Sequence, residues 1–77
     1  MVDIYIMETC PYCRKVMDFA DANEIKYNKK DIEDIDNRNN LIKIGGKDQV
    51  PFIVDGETCM YESDDIISYL SRKKEEQ

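Results

Sequence analysis

Two cysteines three positions apart, Cys10 and Cys13, stand where an apolar, β-rich run gives way to a segment with helical periodicity. Pro11 suits the first position of that helix, because its missing N–H costs nothing there and its φ is already helical. Cys10 would therefore lie at the N-cap, where unpaired N–H groups and the positive end of the helix dipole favour an anion such as a thiolate, the nucleophilic form of cysteine. Cys13 would lie one turn inside the helix and be shielded, which suits a resolving thiol.

Other arrangements of these cysteines agree less well with the rest of the chain. A structural zinc ion needs four ligands, whereas the chain has no histidine and only one further cysteine, Cys59. An inert buried pair is the remaining alternative. A Cys-x-x-Cys motif beside a strand–helix–strand pattern is typical of a thioredoxin-like redox motif, which we favour. We expect Cys59 to be a small buried hydrophobic residue rather than a regulatory thiol.

Length and composition predict a single globular domain spanning residues 1–77. The chain is near the lower size limit for a domain that relies on its own core, and 42% hydrophobic residues is a globular composition. The sequence has no basic segment followed by an apolar one and no apolar run long enough to span a bilayer, so we expect a cytoplasmic protein without a membrane partner. An odd number of cysteines does not suit a secreted disulfide framework, and the net charge of −6 argues against nucleic acid as a partner.

Hydrophobic periodicity predicts the element order βαβαββα. Alternating apolar residues indicate strands, and apolar residues at helical spacing indicate helices. The predicted strands are residues 2–7, 25–31, 50–54 and 57–61, and the predicted helices are residues 11–24, 33–44 and 63 onward, with residues 75–77 fraying.

Local signals place the turns and the helix ends. We expect Asn23 to end the first helix in a left-handed conformation and Gly45-Gly46 to end the second. Asp-Gly between two β-rich runs predicts a hairpin turn at Asp55-Gly56. Ser63 is predicted to be the N-cap of the third helix, with acidic residues in its first turn. The second helix is expected to direct its apolar residues towards the sheet, and these residues are Ile35, Leu41, Ile42 and Ile44.

This element order, with Cys10-Pro11-Tyr12-Cys13 after the first strand and Val50-Pro51 opening the third, resembles a glutaredoxin over nearly the whole chain. Three features carry the resemblance. They are the Cys-Pro-Tyr-Cys box, which is specific to dithiol glutaredoxins among thioredoxin-fold proteins, the Val-Pro step, and an acidic patch at the start of the last helix. The resemblance implies an α/β thioredoxin fold, in which a central four-stranded mixed sheet is flanked by three helices.

The resemblance also implies catalytic roles. Cys10 resembles the nucleophile of the family, and Cys13 resembles the resolving cysteine. Pro51 resembles a proline with a cis bond that faces the cysteines, which leaves the backbone of Val50 turned outward to pair with an extended substrate, as in strand addition. Taken alone, Pro51 would be an ordinary proline at the start of a strand.

Glutathione is the cosubstrate that the resemblance implies. Ser63 and Asp64 match the family positions that hold the γ-glutamyl end of the tripeptide, and a helix N-terminus suits a carboxylate. Tyr12 would flank the bound tripeptide and, with Val50 and Pro51, completes the predicted glutathione site. The alternatives are that Ser63 and Asp64 only cap the helix, and that Tyr12 is an ordinary surface residue of the motif.

Two regions depart from the glutaredoxin pattern. Tyr61-Glu62 stands where many glutaredoxins carry a Gly-Gly pair. The Glu62-Ser63 step instead resembles the glutathione site of glutathione-transferase N-terminal domains, which share this fold. Met7 stands where a lysine usually meets the glycine carboxylate of glutathione. The candidate substitutes on or after the second helix are Arg38, Lys43 and Lys47.

The sequence thus predicts a monomeric enzyme, a glutathione-dependent thiol–disulfide oxidoreductase that reduces disulfide-containing or glutathionylated proteins and needs no metal. Its role would be electron transport and cell redox homeostasis, coupled indirectly to the glutathione reductase system. Two alternatives stay open, namely reduction by thioredoxin reductase and an iron–sulfur cluster held by two chains through Cys10 and glutathione. The chain is expected to lack the all-helical second domain of a whole glutathione transferase.

Overall fold

The computed structural model describes residues 1–75, which form strands and helices in the predicted order. The strands are β1 (Val2–Ile6), β2 (Tyr27–Asp31), β3 (Phe52–Asp55) and β4 (Thr58–Met60), and the helices are α1 (Pro11–Ala22), α2 (Ile35–Gly45) and α3 (Ser63–Glu75). Within this part of the chain, no helix is long and apolar enough to cross a membrane. Residues 75–77 are expected to fray, but Glu75 is the last residue of α3, and positions 76 and 77 lie outside the described residues.

The strands form one mixed sheet in the order β2-β1-β3-β4. Strand β1 runs parallel to β2 and antiparallel to β3, and β3 pairs antiparallel with β4. The predicted fold class, a four-stranded mixed sheet flanked by three helices, is confirmed. The central strands β1 and β3 are rich in apolar residues because both of their faces are covered. The lysine-bearing strand β2 lies at an edge, where charged side chains deter pairing with another chain.

Alternation along the central strands divides the core into two layers. On one face of the sheet, Val2, Ile4 and Ile6 pack against α1 and α3. On the other face, Tyr5 and Phe52 pack beneath α2. The other buried members of the first layer are Cys13, Val16, Met17, Ile53, Ile66 and Leu70. The first layer is the larger, so α1, the helix that begins at the cysteine pair, is firmly anchored to the sheet.

Helix α2 contacts the sheet through fewer side chains than predicted. Leu41 is fully buried, but Ile35, Ile42 and Ile44 are 62%, 40% and 49% exposed, so the prediction that they face the sheet is wrong. The reason is helical geometry. At roughly 100° per residue, Ile35 and Ile42 project from a side of the helix well away from Leu41. Gly45, one turn after Leu41, is the next residue to face the sheet.

The ends of α1 and α2 use different residues in the left-handed conformation. Helix α2 ends as predicted, with Gly46 at φ 83°. In α1 the predicted stop is one residue early, because Asn23 is the C-cap at φ −101° and the left-handed residue is Glu24 at φ 57°. The Asn23 side-chain amide donates to the Phe19 carbonyl over 2.8 Å. This bond satisfies a carbonyl of the last turn, so Asn23 caps the helix without adopting a left-handed conformation.

The hairpin between β3 and β4 is displaced by one residue from its predicted position. Asp55 pairs with Thr58, so the turn consists of Gly56 and Glu57, with Gly56 at φ 63°. On the short edge strand that follows, Cys59 is exposed, and the prediction that it is buried is wrong. The error is explained by the alternation of side chains along a strand. The two neighbours of Cys59 on β4 are both partly buried, so Cys59 lies on the opposite, exposed face of the strand.

Candidate active site

The predicted redox pair lies at the start of α1. Cys10 is the N-cap residue of this helix, and Pro11 is its first residue. The Cys10 sulfur accepts a hydrogen bond from the backbone N–H of Cys13 over 3.4 Å. The Cys10 N–H donates to the Met7 carbonyl over 3.0 Å, which closes the turn after β1. The Cys10 sulfur is therefore aligned with the free N–H groups of a helix end, an environment in which helices bind anions.

Cys13 has a different environment. Its side chain is fully buried in the core layer between the sheet and helices α1 and α3. The pKa of the Cys13 thiol is raised to about 12, chiefly by burial; a hydrogen bond with the Met7 backbone lowers it in part, and the adjacent Cys10 sulfur raises it. Cys13 is therefore protonated at neutral pH, and both cysteines are free thiols. The catalytic roles of the two residues stay predictions.

A groove of about 390 Å³ is lined by Tyr12, which lies between the two cysteines in the sequence, and by the other four residues of the predicted glutathione site, whereas Cys10 and Cys13 are not among its lining residues. Three segments form its walls: the first turn of α1, the loop of residues 46–51 that precedes β3, and the start of α3. The lining residues are Tyr12, Gln49, Val50, Pro51, Tyr61, Glu62, Ser63 and Asp64. The structure thus brings together residues that are far apart in the sequence. Gln49 was not predicted to line the groove, and its position next to the Val-Pro step is the signal that could have identified it.

The Val50–Pro51 step forms the middle of the groove. The peptide bond between these residues is cis, as the resemblance predicts. Pro51 is buried, and Val50 packs against both core layers. Val50 is therefore held in place from two sides while it lines the groove.

The start of α3 differs by one residue from the prediction. The Ile66 N–H donates to the Glu62 carbonyl over 2.8 Å, so Ser63 is the first helical residue and not the N-cap. A hydroxyl cap is unnecessary here, because Asp64 and Asp65 lie in the first turn and complement the positive helix end. The backbone N–H groups of this turn have no partner within the helix. Ser63 and Asp64 of this turn line the groove, and helix N-termini are suited to bind carboxylates.

An ion pair connects the two helices that flank the groove. The Lys15 ammonium of α1 lies 2.7 Å from a carboxylate oxygen of Asp64 on α3, and both side chains are largely exposed. Asp64, which is predicted to accept from the amine of glutathione, therefore already faces a cation of this chain. An incoming ammonium group would compete with Lys15 for Asp64.

The cations proposed to replace the lysine missing at Met7 do not line the groove. Arg38 forms an ion pair with Asp48 and lines an adjoining cleft of about 320 Å³ that also contains Met7 and Val50. The Lys47 ammonium lies 5.5 Å from the centre of a tyrosine ring. Lys43 is exposed in the last turn of α2. In residues 1–75, the cysteine and acidic side chains form no group arranged to hold a metal ion.

Comparison with known proteins places the chain in a family. A family model described as the N-terminal domain of glutathione S-transferase matches residues 4–77. Human glutathione S-transferase T1-1 in its apo form is 26% identical, with a TM-score of 0.84, and the match covers 97% of this chain and 33% of that one. Human glutathione transferase theta-2, solved with glutathione and an unknown ligand, is 22% identical, with a TM-score of 0.85 and coverage of 97% and 32%.

A smaller protein shares the same fold. The thioredoxin-like protein BC3987 is 23% identical, with a TM-score of 0.81, and the match covers 94% of this chain and 97% of that one. This chain spans about a third of the length of the transferases it matches. A comparison with curated proteins found no match. Because the family model covers nearly the whole sequence, this chain belongs to the glutathione S-transferase N-terminal domain family and is a glutathione-related protein with a thioredoxin fold.

Proposed function

We propose that this protein is a glutathione-dependent thiol–disulfide oxidoreductase of the glutaredoxin type, with Cys10 as nucleophile and Cys13 as resolving thiol. The arrangement of the two sulfurs supports the proposal most directly. The Cys10 sulfur accepts the N–H of Cys13 at the open end of α1, whereas Cys13 is buried and its pKa is raised to about 12. One thiol is thus placed to react with a substrate, and the other is withheld as a protonated thiol.

The proposed reaction is a sequence of thiol–disulfide exchanges. The Cys10 thiolate attacks one sulfur of a substrate disulfide, a Cys10–substrate disulfide forms, and the other substrate sulfur leaves as a thiolate that takes a proton from water. When the bound half is glutathione, a second glutathione thiolate attacks its sulfur, which yields glutathione disulfide and returns the Cys10 thiolate. The substrate disulfide gains two electrons, and two glutathione molecules lose them.

Cys13 provides a second route when the bound half is a protein. Cys13 loses its proton and attacks the Cys10 sulfur, which releases the protein thiol and leaves a Cys10–Cys13 disulfide. Two glutathione molecules then reduce that disulfide in successive exchanges. Burial opposes loss of the Cys13 proton, so release of a bound protein by Cys13 is expected to be slower than release of a Cys10–glutathione adduct by a second glutathione.

The groove suits an extended tripeptide with charged ends. Backbone N–H groups in the first turn of α3 can donate to the γ-glutamyl carboxylate, and Asp64 can accept from its ammonium group. Val50 offers its backbone to the central residue of the peptide, as an added strand would require, and Tyr12 lies on the other side. Membership of the transferase N-terminal family and the likeness to a transferase solved with glutathione support this ligand.

The proposal is tested by a coupled assay on a small glutathione mixed disulfide. One reaction contains glutathione, glutathione reductase and NADPH, and the other contains thioredoxin reductase and NADPH. We expect turnover in the first reaction only. Turnover in the second reaction alone would mean that thioredoxin reductase, and not glutathione, reduces the protein. No turnover in either reaction would reject the oxidoreductase proposal. The expected single domain, monomeric state, cytoplasmic location and protein disulfide substrates stay predictions.

A further inference from the structure

Tyr61 joins two walls of the groove that are distant in the sequence. Its hydroxyl accepts a hydrogen bond from the Lys47 N–H and donates one to the Lys47 carbonyl, each over 3.0 Å. Lys47 belongs to the 46–51 loop, which carries Val50 and Pro51 to the groove. Tyr61 itself immediately precedes the Glu62–Asp64 wall and also lines the groove. One side chain therefore spans the gap between the loop and the start of α3.

The packing around the Tyr61 ring leaves it little freedom. The ring centre lies 4.5 Å from that of Phe52, the first residue of β3. A Cβ added to Gly45 would lie 2.0 Å from the Tyr61 hydroxyl oxygen, so α2 reaches this position only because residue 45 has no side chain. The ring is thus held between β3 and the end of α2, with its hydroxyl directed at the loop. A second contact, the ion pair of Arg38 with Asp48, ties the same loop to α2.

We propose that Tyr61 is a positioning residue whose hydroxyl holds the 46–51 loop in place. The loop carries Val50, so the hydroxyl sets the distance between Val50 and the start of α3. A ligand that contacts both walls of the groove requires this distance. The inference rests on the proposed function, because glutathione is the ligand that would span the walls. The Arg38–Asp48 pair holds the loop to α2 only. Lys47 of the loop contacts Tyr61 in two ways: its backbone is hydrogen-bonded to the hydroxyl, and its ammonium lies 5.5 Å from the centre of the ring. The hydroxyl contact is the one that Tyr61→Phe removes.

The test compares Tyr61→Phe with Tyr69→Phe. Both substitutions remove one hydrogen-bonded hydroxyl and keep the ring, but the Tyr69 hydroxyl donates to Asp55 at the hairpin end of the sheet. Two readouts are measured: amide hydrogen exchange of residues 47–50, and kcat and KM for glutathione in the coupled assay. For Tyr61→Phe we expect loop exchange to be about tenfold faster, since two hydrogen bonds are lost, and KM to rise severalfold with kcat retained. For Tyr69→Phe we expect neither change.

Gly45→Ala serves as a second variant, because its methyl group would displace the Tyr61 ring and should reproduce both effects. Unchanged loop exchange in Tyr61→Phe would overturn the inference, and so would faster exchange with an unchanged KM, because the hydroxyl would then only stabilise the loop. A native protein without glutathione turnover would reject the proposed function instead. The hydrogen-exchange comparison would then decide, independently of activity, whether Tyr61 holds the loop.

Discussion

The starts of α1 and α3 face the same groove, yet they offer it different chemistry. Each helix start has unpaired N–H groups and a partial positive charge. At α3 the chain supplies its own carboxylates, Asp64 and Asp65, whereas the first turn of α1 has no acidic residue and its N-cap side chain is the Cys10 thiol. The α1 end is thus arranged for a reacting sulfur, and the α3 end for recognition of a ligand with both a carboxylate and an ammonium group.

The largest effect is expected at the α1 end. Cys10→Ser replaces the thiol with a hydroxyl that can still cap the helix, so the fold should be retained. A serine hydroxyl does not attack disulfides as a thiolate does, so turnover in the coupled assay should fall to background. Cys59→Ser is the matched control, because Cys59 is an exposed cysteine that lies on β4, outside the Cys10–Cys13 turn. Appreciable turnover by Cys10→Ser would show that another group is the nucleophile.

Burial should make Cys13 unreactive in the folded protein. Its pKa is raised from 9.0 to about 12, so the thiolate fraction at pH 8 is about a thousandfold smaller than in the unfolded chain. The folded state holds the proton more tightly, so the difference in thiolate fraction is full below the unfolded pKa of 9.0 and shrinks as the pH rises from there towards 12. A Cys10→Ser, Cys59→Ser double variant keeps the burial, which is the main cause of the shift, and removes the smaller contribution of the Cys10 sulfur. Alkylation of Cys13 should therefore still be much slower in the native variant than in denaturant. Equal rates in the two conditions would contradict the burial argument.

Cys13→Ser should separate the two proposed routes. Glutathione can still release Cys10 from a glutathione adduct, so turnover of a glutathione mixed disulfide should be largely retained. Release of a bound protein depends on the buried thiol, so reduction of a protein disulfide should lose most of its rate. The two substrates are each other's control in this experiment. An equal loss with both would remove the distinction between nucleophile and resolving thiol.

Short-range signals were enough to predict the α1 end. Pro11 marks the first helical residue, and the alternating residues of β1 place Cys10 directly after a buried strand. The same kind of signal failed for α2, where four apolar residues within eleven positions suggested a broad buried face, but helical rotation left Ile35 and Ile42 exposed. A weak hydrophobic periodicity does not decide which of several apolar residues in a helix contacts the sheet. In α2 the orientation of the helix depends on the close approach of Gly45 to Tyr61 and Phe52.

The α3 end of the groove depends on contacts between residues that are distant in the sequence, which local sequence patterns do not reveal. The resemblance identified Ser63 and Asp64, and the groove does include them. It gave no indication that Lys15 would meet Asp64, because these residues are 49 positions apart and come together only when α1 and α3 pack on the same sheet face. The sequence predicts only a helix stop at Gly45, whereas its lack of a side chain also makes room for Tyr61. Such roles follow from packing and not from sequence neighbours.

Asp64→Asn should weaken recognition without affecting the chemistry. The substitution removes the charge that would face the ammonium group of glutathione, so KM for glutathione should rise about fivefold to tenfold with kcat unchanged, as for the loss of a charge-assisted hydrogen bond. Asp65→Asn is the matched control, because Asp65 lies in the same turn but does not line the groove. An equal effect of both substitutions would mean that the acidic residues act only on the helix dipole.

The smallest effect is expected from Lys15→Gln, which removes the link between the two helix ends. Exposed ion pairs contribute little, so stability should hardly change. Asp64 would no longer be neutralised by a cation of its own chain, so KM for glutathione should fall by about twofold. Raising the ionic strength screens such pairs and should reduce the difference between the variant and the native protein. A rise in KM would mean that Lys15 orients Asp64 for the ligand, and the two helix ends would then act as one recognition site.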